Sequence, residues 1–293
     1  MRDWILYTLF AATGFGLINV FAKNIMKDTP SINFTAIYSL LAFIFYTPVF
    51  IYYSTKLDLN FQKLAVIGMS VSMIGNVLAF LVFNYSVKKG NLSEVVPISR
   101  LTPVFAALIA AIVLGEKIDV ALASGIFLAT SGAILVLKED SISYLNSVKE
   151  GIHKNAIKAA LLSAVFWAIT SVADRYATQI IPPELYNYFL YSAMTTGFLA
   201  ASYHQEENTL NKLKNNLTQY KKLYVLTGLL AAASSLAIFK AFSLAPAAKV
   251  TTVQQFQVLI PVIAGVAVFD EKNLGRKLTG SIILITGIAL TAI

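Results

Sequence analysis

One guanidinium stands near the middle of an apolar stretch of this chain: Arg100, within residues 92–114. Other basic residues inside such stretches include Arg175, Lys240 and Lys249, and Arg100 is the deepest. Arginine offers a planar fork of N–H donors that matches a carboxylate in bidentate fashion, so the chemistry available is recognition of an anionic solute. At the centre of a membrane helix such a charge costs about 2.5–3.5 kcal/mol on insertion scales. A cavity or a partner has to offset that cost.

A shift of 155 residues carries Ser99 onto Gln254, Arg100 onto Gln255 and Thr102 onto Gln257, so the deepest polar cluster recurs later in the chain. On helical spacing Gln254 and Gln257 share a face, with Gln255 rotated by about 100°. These amides either line a substrate site with Arg100 near the membrane midplane or bond neighbouring helices together, at roughly 0.6–2 kcal/mol each. Asn19, Asn76 and Asn84 stand in other apolar stretches and can extend a polar lining. Trp167, Phe15, Tyr188 and Tyr191 can supply the apolar walls of a pocket, the alternative being helix packing or an interfacial position.

Other chemistry is largely excluded. The chain has no cysteine, and its two histidines, His153 and His204, fall outside the apolar stretches. Neither a G-x-x-x-x-G-K-[ST] phosphate loop nor an H-E-x-x-H metal motif is present, so no catalytic residue, metal site or cofactor is expected. A lipid-modifying enzyme would have to use Glu94 and Asp174, the acidic residues at the ends of apolar stretches. Each has a basic neighbour, Arg100 and Arg175 respectively, and is expected to form an ion pair with it. With no histidine and no free carboxylate in the path, a facilitator or exchanger is favoured over a proton-driven pump. A channel or scaffold is the remaining alternative, although channels usually ring a pore with identical residues.

The elements that position these residues are membrane helices. Hydrophobic residues make up 57% of the 293, and charged residues only 13%, against about 25% charged in soluble domains. Runs of the roughly 20 apolar residues that a bilayer requires occur at 4–22, 33–53, 64–86, 92–114, 118–137, 156–177, 185–203, 223–244, 247–268 and 275–293. The fold class is therefore all-α integral membrane, with ten transmembrane helices. Arg2 before the first run resembles a signal sequence, but nine runs follow without a clear cleavage site, and the first is read as a retained helix. The net charge of +8 is scattered through short loops, so the partners expected are a lipid bilayer and a small-molecule substrate, and no nucleic acid.

A polar linker, 138–155, separates a first five-helix repeat, 1–137, from a second, 156–293. The 155-residue shift sets Glu116-Lys117 on Glu271-Lys272, Gly125 on Gly280 and Gly132 on Gly287. Near the half starts a shift of 152 sets Phe15 on Trp167 and Lys23 on Arg175. Because five is odd, the second copy enters the membrane from the opposite side, giving two inverted five-helix repeats, an architecture of many secondary transporters. The paired glycines, seven residues apart, predict close packing of the fifth and tenth spans. Pro97 and Pro103 in the fourth span and Pro261 in the ninth loosen those helices.

Each half thus opens with an aromatic-small pair followed by a base, Phe15-Gly16 to Lys23 and Trp167-Ala168 to Arg175. Each closes with a proline-bearing helix that ends at Glu-Lys, then a glycine-bearing helix. This order resembles the drug/metabolite transporter superfamily in its ten-helix EamA-type branch. The resemblance implies a transporter of small metabolites, and the basic cavity favours amino acids or other carboxylate-bearing solutes. It also implies that Lys23 and Arg175 are gates at the cavity mouth; the alternative is that they are interfacial anchors. Two departures are local: Asp270 stands where the first half has Gly115, and Pro261 lies three residues late relative to Pro103. On orientation the two lines diverge. Four loop Lys and Arg fall on one side and fifteen on the other, which by the positive-inside rule places both termini outside the cytoplasm, whereas the resemblance implies cytoplasmic termini.

Overall fold

The computed structural model describes residues 3–57, 62–90, 92–137, 153–205, 209–269 and 274–292, and every regular element among them is helical. In chain order the helices are α1 (Asp3–Ile25), α2 (Ser31–Ser54), α3 (Lys63–Lys89), α4 (Leu92–Ser99), α5 (Thr102–Leu114), α6 (Val120–Leu137), α7 (His153–Thr178), α8 (Pro183–Gln205), α9 (Thr209–Gln219), α10 (Lys221–Leu244), α11 (Ala247–Gln254), α12 (Leu259–Phe269) and α13 (Leu274–Thr291). A short 3-10 turn, Gln255–Val258, joins α11 to α12. Residues 138–152 of the expected linker lie outside the described residues, as do Asp270, Glu271 and Lys272 of the second-half motif.

Among the described residues seven segments are long and apolar enough to cross a membrane: Asp3–Ile25, Ser31–Ser54, Lys63–Lys89, Val95–Leu114, Val120–Leu137, Lys154–Thr178 and Lys221–Leu244. The other three expected spans differ from these in separate ways. In α8 the apolar run is diluted by Asn187, Ser192, Thr195, Thr196 and Ser202. The run at 247–268 is divided by the 3-10 turn. The run at 275–293 ends outside the described residues. Outward-facing apolar side chains such as Ile112 (84% exposed) and Val120 (82%) are what a chain with lipid as solvent presents.

Two compact units form, and each takes helices from both halves of the sequence. The first comprises Met1–Val77 and Ala173–Leu244, the second Leu78–Val172 and Ala245–Ile293, so α3 and α7 each contribute to both. In the first unit α1 packs on α10, and α2 on α8 and α10. Polar residues tie these helices: Ser202 donates to Asn33 Oδ1 at 2.5 Å, and Tyr46 donates to the Glu184 carbonyl at 3.0 Å. Tyr186, Tyr224 and Phe198 fill the interior without exposure.

In the second unit the dominant contact is α6 on α13, and the paired glycines explain it. A Cβ on Gly132 would lie 2.4 Å from Leu284 N, and one on Gly287 would lie 2.2 Å from Ala129 N and 2.7 Å from Gly125 O. The obstructing atoms are backbone, so a side chain here has to push the helices apart. Gly287→Ala is therefore expected to destabilise the protein by about 3 kcal/mol, the upper end of the usual overpacking range. Gly275→Ala, which meets nothing within 4 Å, is expected to leave thermal unfolding in detergent unchanged.

Candidate functional site

The site begins with a proline. Pro103 has no N–H to give Ser99 one turn earlier, and the Thr102 hydroxyl takes that carbonyl instead, at 2.9 Å. The backbone tightens around this point into three-residue bonds: Arg100 N to Pro97 O (3.1 Å), Leu101 N to Ile98 O (3.1 Å) and Val104 N to Leu101 O (3.0 Å). Val104 would otherwise serve the carbonyl of Arg100. That acceptor is left open, and the Gln255 side chain fills it, Nε2 to Arg100 O at 2.8 Å. Gln255 itself opens the 3-10 turn of the second half, just ahead of Pro261. The two helix breaks thus occupy corresponding positions of the repeat, 100–101 and 255–258, and one hydrogen bond joins them within a single unit.

What remains unsatisfied defines the chemistry. Nε of Arg100 is buried without a hydrogen-bond partner, and so is Oε1 of Gln255. Among the described residues no acceptor meets Nε of Arg100; the side chain of Glu94, its expected partner, lies outside them. A buried N–H without an acceptor is uncommon and costly. Glu116 works nearby in the same unit, its carboxylate accepting from Ala247 N at 3.1 and 3.3 Å and so capping α11, the helix that leads to Gln255. Gly115, at φ 67° beyond the last turn of α5, sets up the bend that brings Glu116 there.

The other residues expected at the site are distributed differently. Gln254 and Gln257 are half-buried and make no hydrogen bond to a described residue. Trp167 belongs to an aromatic cluster of the second unit, with ring centroids 5.5 Å from Phe80 and 5.3 Å from Phe83. Asn19 and Lys23 are exposed on α1 in the first unit. Asn76, also in the first unit, donates from Nδ2 to the carbonyl and hydroxyl oxygens of Ser72, at 3.0 and 3.1 Å. An apolar groove of about 410 Å³ on the second unit, lined by Leu81, Val82, Tyr85, Lys158, Ala159 and Leu162, includes none of these residues.

Asp174 requires a correction. The ion pair expected with Arg175 does not form. The Asp174 carboxylate accepts hydrogen bonds from the Ser72 hydroxyl and, at 2.5 Å, from the Tyr186 hydroxyl. Arg175 turns to the Phe242 carbonyl, Nη1 to O at 2.6 Å. Successive residues on a helix do not face each other, so sequence adjacency was a poor guide to this pairing. Sequence reasoning also missed a second charged contact, Lys240 Nζ to Glu184 Oε1 at 3.0 Å.

Comparison with known proteins follows the same lines. The profile of the EamA-like transporter family matches the chain twice, over residues 2–138 and 154–293. A solved crystal structure, described only as that of a protein, superposes with a TM-score of 0.78 at 14% sequence identity, covering 99% of this chain and 98% of its own. At that identity the likeness is one of fold. No curated protein matches.

Proposed function

The chain belongs to the EamA-like transporter family, and from that premise we propose a secondary transporter that carries small carboxylate-bearing solutes, such as amino acids, across the cell membrane by alternating access. It is a multi-pass membrane protein of a transporter family, and that family is not one of enzymes. In the proposal the three less apolar segments, Pro183–Gln205, Ala247–Phe269 and Leu274–Thr291, also cross the bilayer, giving ten spans in two inverted five-helix repeats, 1–137 and 156–293, joined by the polar linker 138–155. Segments of lower hydropathy are tolerated where they are covered by other helices or line a cavity.

One observation carries the choice of solute: the buried Arg100 guanidinium, whose Nε–H has no acceptor among the described residues. Its helix is broken at that residue and the facing helix is broken at Gln255, and mid-membrane breaks are where transporters expose backbone and side chains to substrate. In this reading Gln254, Gln257 and Trp167 extend the lining in the second unit, while in the first unit Asn19 and Asn76 contribute to substrate binding and Lys23 and Arg175 act as gates.

The test is uptake into proteoliposomes, using solutes first selected from amino acids, nucleobases and organic anions by the rise they cause in melting temperature. Uptake is expected to saturate and to accelerate when the same solute is loaded on the far side. Flux that grows linearly and ignores solute on the far side would identify a channel and overturn the proposal.

A further inference from the structure

A carboxyl group inside a membrane protein is expensive as an anion unless something offsets its charge. Asp174 is 5% exposed, on α7 in the first unit, and forms no ion pair with a described residue. Two hydroxyls meet it, those of Ser72 on α3 and Tyr186 on α8, and both converge on one oxygen, Oδ1. No described donor reaches Oδ2. This division leaves Oδ2 as the oxygen on which a proton can sit, while Oδ1 accepts from both hydroxyls. Asn76 fixes the arrangement from behind, its amide donating to the Ser72 hydroxyl and leaving that hydroxyl's own proton for Asp174.

We propose that Asp174 is the proton-carrying site of this transporter, taking up and releasing one proton on Oδ2 in each transport cycle. The step is a simple exchange: a hydronium ion gives its proton to the carboxylate, leaving water and the acid, and the reverse returns carboxylate and hydronium. In both states Ser72 and Tyr186 keep donating to Oδ1. The inference rests on the transporter reading above and adds its coupling ion, against the facilitator favoured by sequence.

The charged and titratable groups on the surrounding elements have other engagements. On α7 itself Arg175 bonds the Phe242 carbonyl, and Tyr176 follows it. On α8 Glu184 pairs with Lys240 of α10, while Tyr186 is the hydroxyl already on Asp174. On α3 the titratable side chains besides these partners are Lys63, Tyr85, Lys88 and Lys89, toward the helix ends. A sodium site is less suited to this arrangement, because two hydroxyl hydrogens already point at Oδ1, and no group of three His, Cys, Asp or Glu residues clusters among the described residues.

The experiment is infrared titration of the full chain in liposomes, with no solute present, in sodium and in choline buffers. A protonated-carboxyl band that titrates is expected in the native protein, with the same midpoint in both buffers, and it is expected to vanish in Asp174→Asn. Tyr186→Phe is expected to displace the midpoint by about tenfold in proton concentration, the scale of one hydrogen bond to a charged group. A spectrum unchanged by Asp174→Asn overturns the proposal. So does a midpoint that follows sodium, or one indifferent to Tyr186→Phe; the last decides the matter if Asp174→Asn does not fold. Because the titration uses protons alone, it can succeed or fail independently of the transport reading. For any solute found to be carried, Asp174→Asn is expected to lose accumulation driven by a pH gradient.

Discussion

Arg100→Ala is expected to weaken binding of a carboxylate solute by about 10- to 150-fold, the equivalent of the roughly 1.5–3 kcal/mol of a hydrogen bond to a charged group. The same variant is expected to fold and insert normally. Nε of Arg100 has no acceptor among the described residues, so its removal breaks no bond to them there and relieves the cost of a buried charge. Arg100→Lys restores the charge without the planar fork, and recovers only part of the affinity. Gln255→Ala acts differently, since its amide holds the Arg100 carbonyl at 2.8 Å. It removes one neutral hydrogen bond, about 0.5–1.5 kcal/mol, from the join between the two helix breaks. Ligand affinity and melting temperature, measured on the same variants, separate these roles. Unchanged affinity with a lowered melting temperature for Arg100→Ala would remove Arg100 from the site and give it a structural partner, of which Glu94 is the nearest in sequence.

Much of this arrangement was legible because the chain repeats. The 155-residue shift paired Arg100 with Gln255 before any geometry was known, and the hydrogen bond between them lies at those positions. The glycine spacing likewise anticipated the close approach of α6 and α13, since small residues seven apart lie on one face of a helix. The direction of the Arg100–Gln255 contact was not legible. It depends on which carbonyl is orphaned when Pro103 shifts the backbone to three-residue bonds, a matter of local geometry that no pattern of residue types records. Asp174 was misjudged for a related reason, because its neighbours across the fold, Ser72 and Tyr186, are 102 and 12 residues away, and neither is charged. The aromatic neighbours of Trp167, Phe80 and Phe83, three residues apart on one face of α3, were not legible either.

Lys240 and Glu184 supply a second large effect, this time on stability. Their 3.0 Å contact joins α10 to α8, with side chains 30% and 15% exposed, and the Lys240 ammonium also lies 5.9 Å from the ring of Tyr7 on α1. Removing one member of a fully buried pair typically costs 3–5 kcal/mol, because the other is left as an uncompensated charge, whereas surface pairs contribute at most about 1 kcal/mol. The partial exposure here places the expected loss for Lys240→Met between those limits, at about 2–3 kcal/mol. Glu184→Gln is expected to cost less. It leaves behind the more exposed member, whose long stem can carry the ammonium toward water, while Lys240→Met strands the more buried carboxylate. The double variant, Lys240→Met with Glu184→Gln, leaves neither charge and is expected to recover most of the loss. Thermal unfolding of the four proteins in one detergent measures the coupling directly. If the losses of the two single variants simply add in the double, the contact contributes no interaction energy, and α8 and α10 are held together by their other contacts, among them the bond from Asn187 Nδ2 to the Ala232 carbonyl at 3.3 Å.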